Sequence, residues 1–235
     1  MKKIIKRILV FLLFVLLLGG VAYFVYNEPL PQGEKGPAAE ALANKMLKAV
    51  NAVNYNKTRF MEWDFNGIHR YKWDRQKQIA EVFWDENRVV LNLNDYAKSQ
   101  VYRNGVRIHD EENHAIIADA VDYFNNDSFW LVAPFKVFDK GVERRLVKTE
   151  EYGDALLVTY TSGGSTPGDS YLWLLDDKGF PVAFKMWVRI IPVGGVKAGW
   201  KQWKVTETAT YLPTGHKLLF FNLKLNDVRA YGTIE

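Results

Sequence analysis

Short runs in which apolar and polar residues alternate constrain the fold of this chain more than any other feature. Met61, Trp63 and Phe65 alternate with Glu62 and Asp64, and comparable runs follow at intervals of about ten residues. A period of two is typical of strands that bury one face. In "QVYRNGVRI" the dipeptide Asn-Gly separates two extended runs, which is the strongest short hairpin signal. We therefore predict a meander of antiparallel hairpins.

Two segments have the period of a helix instead. The first begins at Pro37 and should end near 53–55, and the second runs from about Asp110, a candidate N-cap, to Phe124. The fold class predicted is α+β, mainly β. We expect a curved antiparallel sheet or unclosed β-barrel of about 10–11 strands, wrapped around the two helices.

An apolar segment without a regular period follows the second predicted helix. It reads "NDSFWLVAPFKVFDKG", from Asn126 to Gly141. Irregular segments are usually polar, so this one needs an apolar environment. Two interpretations stay open: the segment caps the core, or it forms the wall or lid of a hydrophobic pocket.

The N-terminal 27 residues are set apart from the folded domain. Ile8 to Tyr26 is 19 residues without a charge, close to the roughly 20 apolar residues that cross a bilayer. The basic residues before this segment predict that the remainder lies on the far side of the membrane. A cleaved signal peptide is the alternative. The predicted organisation is 1–27 as membrane anchor or signal segment, 28–36 as linker and 37–235 as one domain.

The predicted location is a single pass of the inner membrane with the C-terminal domain in the periplasm, or secretion to the periplasm if the segment is cleaved. The net charge of +4 comes from the four basic residues of this anchor, so the rest of the chain is neutral. A neutral domain argues against binding nucleic acid. The chain has no cysteine, which excludes disulfides and thiolate metal sites.

No set of residues indicates catalysis. His109 and His114 are five residues apart, which does not fit a helical zinc site. Ser165 lies in a Ser/Gly loop without the nucleophile-elbow pattern, and His69 and His216 have no obvious partner. We expect no enzymatic activity, no metal and no cofactor, and an envelope lipid hydrolase is the third and weakest function considered.

Three stretches resemble the LolA/LolB-like superfamily. They are "GPAAEALANKMLKAVNAVNYNKTRFMEWDF", "NDSFWLVAPFKVFDKG" and "SYLWLLDDKGFPVAFKMWV". The resemblance implies an unclosed antiparallel barrel around helices, with a hydrophobic interior that binds acyl chains. The chain departs from the family in two ways, because an uncleaved anchor differs from the released carriers and a chain without cysteine differs from the lipoprotein receptors.

Two functions follow as expectations. In the first, a membrane-tethered envelope protein binds a lipid, acyl chain or lipoprotein in its half-barrel. In the second, a non-catalytic interaction protein fills its interior with its own side chains. The candidate ligand-binding residues are apolar residues that we expect to face inward on the strands or to lie in the irregular segment: Met61, Trp63, Phe65, Leu91, Phe129, Trp130, Phe135, Phe138, Phe184, Met186, Leu219 and Phe221.

Overall fold

A computed structural model of the chain describes residues 2–109, 113–163, 165–219 and 221–232. Its helices are α1 (Lys2–Tyr26), α2 (Pro37–Ala49), α3 (Ala52–Lys57) and α4 (Asn113–Val132), with short 3-10 turns at Tyr96–Lys98 and Ala133–Lys136. The strands are β1 (Phe60–Phe65), β2 (His69–Asp74), β3 (Ile79–Trp84), β4 (Asn87–Asn92), β5 (Gln100–Arg103), β6 (Val106–Ile108), β7 (Val142–Thr149), β8 (Gly153–Tyr160), β9 (Ser170–Leu175), β10 (Pro181–Trp187), β11 (Val196–Val205), β12 (Tyr211–Leu218) and β13 (Phe221–Tyr231).

Within these ranges thirteen strands form one antiparallel sheet, in the order β6-β5-β4-β3-β2-β1-β13-β12-β11-β10-β9-β8-β7. The pairing of β1 with β13 joins the hairpins before α4 to those after it. The sheet is curved and unclosed, with β6 and β7 as its edges. The mainly β, unclosed architecture is confirmed, and the strand number exceeds the prediction by two or three.

The predicted Asn-Gly hairpin is confirmed. Asn104 and Gly105 have φ values of 49° and 80° between β5 and β6. A two-residue turn of the type that matches strand twist needs positive φ at both central residues, and Asn and Gly adopt this conformation most readily. Asn66 and Gly67 also have positive φ values, 56° and 75°, in the three-residue turn between β1 and β2.

The helices differ in extent from the predictions. The helix that begins at Pro37 breaks at Asn51, which has a φ of 58°, and continues as α3. The prediction that residues 126–132 are irregular is wrong, because α4 continues through them to Val132. Pro134 then ends the helix, since proline lacks the N–H that a helix interior needs. Asp110, the predicted N-cap, lies outside the described residues.

The core lies between α4 and the concave face of the sheet. Trp63, Trp173 and Trp200 are fully buried there, together with Leu131 of α4. A second, smaller cluster on the outer face of β7 to β10 includes Leu157 and Leu172. Strand β9 is therefore buried on both faces, whereas we had expected each strand to have one buried and one solvent-exposed face.

Residues 28–36 account for part of this outer burial. Glu28 pairs with Lys185 of β10, and the main chain of Glu34 bonds Leu146 of edge strand β7 in both directions, at 2.9 and 2.8 Å. Gly33 lies so close to β7 that an added Cβ would come within 2.8 Å of the Leu146 oxygen. This segment is thus fixed to the domain at both ends.

No helix in the described part of the chain is both long and apolar enough to cross a membrane.

Leu131→Ala should lower the free energy of unfolding by about 2–5 kcal/mol, because it removes a fully buried side chain and leaves a cavity. The matched control is Leu219→Ala in an exposed turn, for which we expect a change within about 0.5 kcal/mol. Urea unfolding of both variants measures the difference. Equal losses would contradict the position of α4 in the core.

Candidate functional site

The candidate site is the concave interior of the sheet, where α4 contacts both halves. In the first half Phe124 lies 6.2 Å from the rings of Trp63 and Tyr71, which stack on each other at 4.4 Å. In the second half Trp130 lies 5.5 Å from Phe184 and 6.5 Å from Trp200. Aromatic side chains bury large areas, so these contacts occupy much of the interior.

The end of α4 and the 3-10 turn after it cover one side of this interior. Phe129 packs on Tyr171 at 4.7 Å and on Tyr160 at 5.5 Å. Phe135 stacks on Tyr55 at 3.9 Å, and the Arg75 guanidinium lies 4.0 Å from the Tyr55 ring centre. Burial raises the pKa of Tyr55 to about 12.

The structure separates the twelve candidate ligand-binding residues into three groups. Met61, Trp63, Phe65, Leu91, Phe184 and Met186 are buried in the core, as expected of inward side chains. Phe129, Trp130 and Phe135 are half-buried and pack against that core. Phe138, Leu219 and Phe221 are exposed.

The inward placement predicted for Leu219 and Phe221 is wrong. Leu219 occupies the turn after β12 with a φ of 36°, and Phe221 begins β13. The alternation into the core starts only at Leu223 and Leu225, which are buried. Phe138 lies under the Arg144 guanidinium, 4.4 Å from its centre, at the edge of the interior.

A buried polar cluster also lies in the interior, and the sequence did not reveal it. The Asp127 carboxylate on α4 is 2.7 Å from Nδ1 of His69 and accepts a hydrogen bond from the Tyr71 hydroxyl at 2.6 Å. The Asn126 side chain donates to its other oxygen at 2.8 Å. Asp127 follows the buried Phe124 by three residues and so lies on the same, buried side of α4. A carboxylate at helical spacing from apolar residues was the available signal in the sequence.

Burial is the main cause of the altered acidity of this cluster. It raises the pKa of the Asp127 carboxyl, and the hydrogen bonds from Tyr71 and His69 act in the opposite direction. Burial and the neighbouring carboxylate raise the pKa of Tyr71 strongly. The cluster therefore ties α4 to β2 through hydrogen bonds in an apolar environment, where an unpaired carboxylate would cost several kcal/mol.

The His–Asp pair does not form part of a nucleophilic triad with Ser165. The Ser165 hydroxyl instead donates to Asp122 and accepts from Asn125, both at 3.0 Å, on the exposed side of α4. Across the described ranges, no group of three or more His, Asp or Glu side chains could hold a metal ion.

His216 supplies a second polar contact to α4. Its Nε2 lies 2.8 Å from the Trp130 carbonyl oxygen, which can only accept, so Nε2 carries the proton. Burial lowers the pKa of His216 to about 4, and the imidazole is neutral at pH 7. The sequence had given this histidine no partner.

An open cleft lies outside the concave interior, where the chain leaves α1. It has a volume of about 310 Å³ and is lined by Asn27, Glu28, Pro29, Leu30, Trp187, Val188, Ile191 and Gly194. None of the twelve candidate residues contributes to it.

Comparisons with known proteins give weak structural likenesses. No family model and no curated protein matches the chain. A DUF1329 family protein from Desulfovibrio piger shares 10% identity over 85% of this chain and 96% of its own, with a TM-score of 0.44. An outer membrane lipoprotein-sorting protein domain from Vibrio parahaemolyticus shares 9% identity over 82% and 95%, with a TM-score of 0.41.

Acid should destabilise the fold through His216. Its pKa is about 4 when folded and about 6.5 when unfolded, so the unfolded state binds more protons between these values. The free energy of unfolding should fall as pH drops from about 6.5 to 4, by up to about 3 kcal/mol. His216→Gln keeps a donor for Trp130 and should remove this part of the loss, whereas His109→Gln, at an exposed position, should not. Urea unfolding at several pH values tests this, and identical pH profiles for the wild type and His216→Gln would contradict it.

Proposed function

We propose that this protein is a non-catalytic, membrane-tethered protein of the cell envelope that binds a lipid, an acyl chain or a lipoprotein in its half-barrel. The observation that carries the proposal is the concave face of the sheet. Buried apolar side chains line it on β1 to β5 and on β8 to β13, and α4 with the turn after it covers it. A cover made of one helix and one turn can move without breaking the sheet.

The half-buried aromatic residues are the proposed movable wall. Phe129, Trp130 and Phe135 lie on one short stretch, at the end of α4 and in the following turn. Each methylene of an acyl chain that replaces them against the sheet would gain about 0.8 kcal/mol. A chain of moderate length could thus offset the contacts that the wall gives up.

A self-filled interaction protein is the second candidate, and the same contacts favour it. Trp200 has ring contacts with Trp130, Trp173 and Phe184 and is fully buried. In this case the interior is a stable core, and a partner binds an outer face or an edge strand. The two candidates differ in whether the wall opens for a ligand.

The tether is assigned to α1. Its described side chains include large apolar ones that are exposed, such as Phe11, Leu13 and Leu17. Exposed apolar side chains along a helix are favourable in contact with lipid. In this arrangement α1 lies in contact with the bilayer and holds the rest of the chain at the membrane surface.

Native mass spectrometry of the full chain, purified in detergent from the cells that make it, should show a bound acyl species. Solvent extraction would then identify its class. A fluorescent fatty acid should bind the wild type, and Phe135→Asp or Trp130→Asp should abolish binding by placing a charge in the wall. Val205→Asp is the matched control, because Val205 is exposed at the end of β11 and its replacement should leave fatty acid binding unchanged.

Circular dichroism separates loss of binding from loss of folding in these variants. A wild type that carries no lipid and does not bind the fatty acid would contradict the lipid-binding proposal and favour the self-filled candidate. Normal binding by folded Phe135→Asp and Trp130→Asp would show that these residues do not form the wall.

A further inference from the structure

Successive turns of an antiparallel meander lie at opposite edges of the sheet. The turns after β1, β3, β5, β8, β10 and β12 therefore share one edge, as the pairing shows. Phe65 at the end of β1 pairs with His69 and with Leu225, and Leu218 at the end of β12 pairs with Phe221. We use the name α1 rim for the part of this edge made by four of the turns, those after β1, β5, β10 and β12, and by the strand ends beside them.

The chain leaves α1 at this rim and is fixed there by hydrogen bonds. The Asn27 side chain accepts from the Gly194 N–H at 2.8 Å, and the Glu28 N–H donates to the Gly194 oxygen at 3.0 Å. Trp187 Nε1 donates to the Glu28 carbonyl at 2.7 Å. The Glu28 carboxylate also pairs with Lys185 at 2.6 Å. The C-terminal end of α1 is thus bound to the loop between β10 and β11.

Two glycines allow this close approach. An added Cβ at Gly194 would come within 2.7 Å of the Glu28 carbonyl oxygen. Gly195 has a φ of 81°, and a Cβ there would come within 2.6 Å of the Glu28 Cβ. The segment that follows α1 is therefore closely packed against the α1 rim. A membrane in contact with α1 would for this reason also lie near the rim.

Large exposed apolar side chains occur at each of the four turns of the α1 rim. They are Ile68 (62% exposed), Val106 (67%), Ile190 (73%), Leu219 (62%) and Phe221 (58%). A single exposed apolar residue needs no explanation, but these residues are spread along one edge of the sheet, from the β5–β6 turn to the β10–β11 loop, and so fit an extended apolar surface. Arg107 and Arg189 are exposed directly beside Val106 and Ile190.

These residue types fit the interface of a bilayer. Apolar tips enter the boundary between headgroups and acyl chains, and neighbouring arginines contact phosphate groups. Tyr23 and Tyr26 are exposed at the C-terminal end of α1, where aromatic rings are typical of the membrane–water interface.

We propose that the α1 rim lies on the surface of a lipid bilayer, with the four turns in its headgroup region and the 310 Å³ cleft at the same level. The proposal rests on the tether in the proposed function, because α1 brings the rim to the membrane. It adds the orientation of the domain: the strands stand with this rim toward the bilayer and the opposite rim toward water.

The absence of cysteine from the chain allows single labels at chosen positions. Val106→Cys and Val205→Cys form a matched pair, since both valines are exposed and Val205 ends β11 at the opposite rim. Ile190→Cys adds a second rim position, and Val25→Cys reports on α1. Each full-length variant is labelled with an environment-sensitive fluorophore and reconstituted in phosphatidylcholine–phosphatidylglycerol vesicles with nitroxide-labelled headgroups.

Labels at Val106→Cys and Ile190→Cys should be quenched several-fold more than the label at Val205→Cys. The label at Val25→Cys should be quenched as well. Quenching at Val25→Cys with none at the two rim positions would overturn the orientation and leave the tether intact. Absence of quenching at Val25→Cys would overturn the proposal that α1 is the membrane tether. If the rim labels were still quenched in that case, the rim would bind the bilayer without α1. Equal quenching of Val106→Cys and Val205→Cys would also overturn the orientation.

Discussion

The burial of the concave face of the sheet by α4 is the contact on which the rest of the structure depends. An antiparallel sheet with one apolar face is stable only when another element covers that face. The 20 residues of α4 span about 30 Å, which is long enough to reach both halves of the sheet. Phe124 contacts the strands before α4 and Trp130 contacts those after it, so one helix joins the two halves across the interior.

The polar groups on this helix explain why it is held in one orientation. Apolar contacts are not directional, and a helix could rotate on an apolar face at moderate cost. Asp127 cannot leave His69 and Tyr71 without losing its hydrogen bonds inside the core, and His216 fixes the main chain at Trp130. Buried polar groups of this kind add specificity to a contact whose stability comes from apolar area.

The sequence predicted those features that depend on local pattern. Alternation at Met61, Trp63 and Phe65 identified inward side chains, and Asn104–Gly105 identified a turn, because backbone conformation decides both. Prediction from the sequence failed where contacts between distant residues determine the local structure. Asn126, Asp127 and Ser128 have low helix propensity, yet tertiary contacts keep them helical.

Contacts between residues far apart in the sequence could not be predicted from the sequence pattern either. His69 and Asp127 are 58 residues apart, and only the fold brings them together. Leu219 continues an alternating run by its position, but the turn after β12 reverses the chain there and exposes it. A periodic pattern gives the face of a strand and does not give the residue at which the strand ends.

The position of α4 relative to the α1 rim connects the two proposals. His69 begins β2 and Tyr171 lies at the start of β9, both at the edge of the sheet that carries the α1 rim. These two residues contact α4, and the Ser165 loop at the same edge holds α4 through exposed hydrogen bonds to Asp122 and Asn125. Hydrogen bonds that water can replace contribute little to stability. A ligand that enters from a bilayer at this rim would first meet the hydrogen bonds between the Ser165 loop and α4, which are among the weakest contacts that hold this helix. Moving α4 further would also break the buried contact between His69 and Asp127, at a larger cost in free energy.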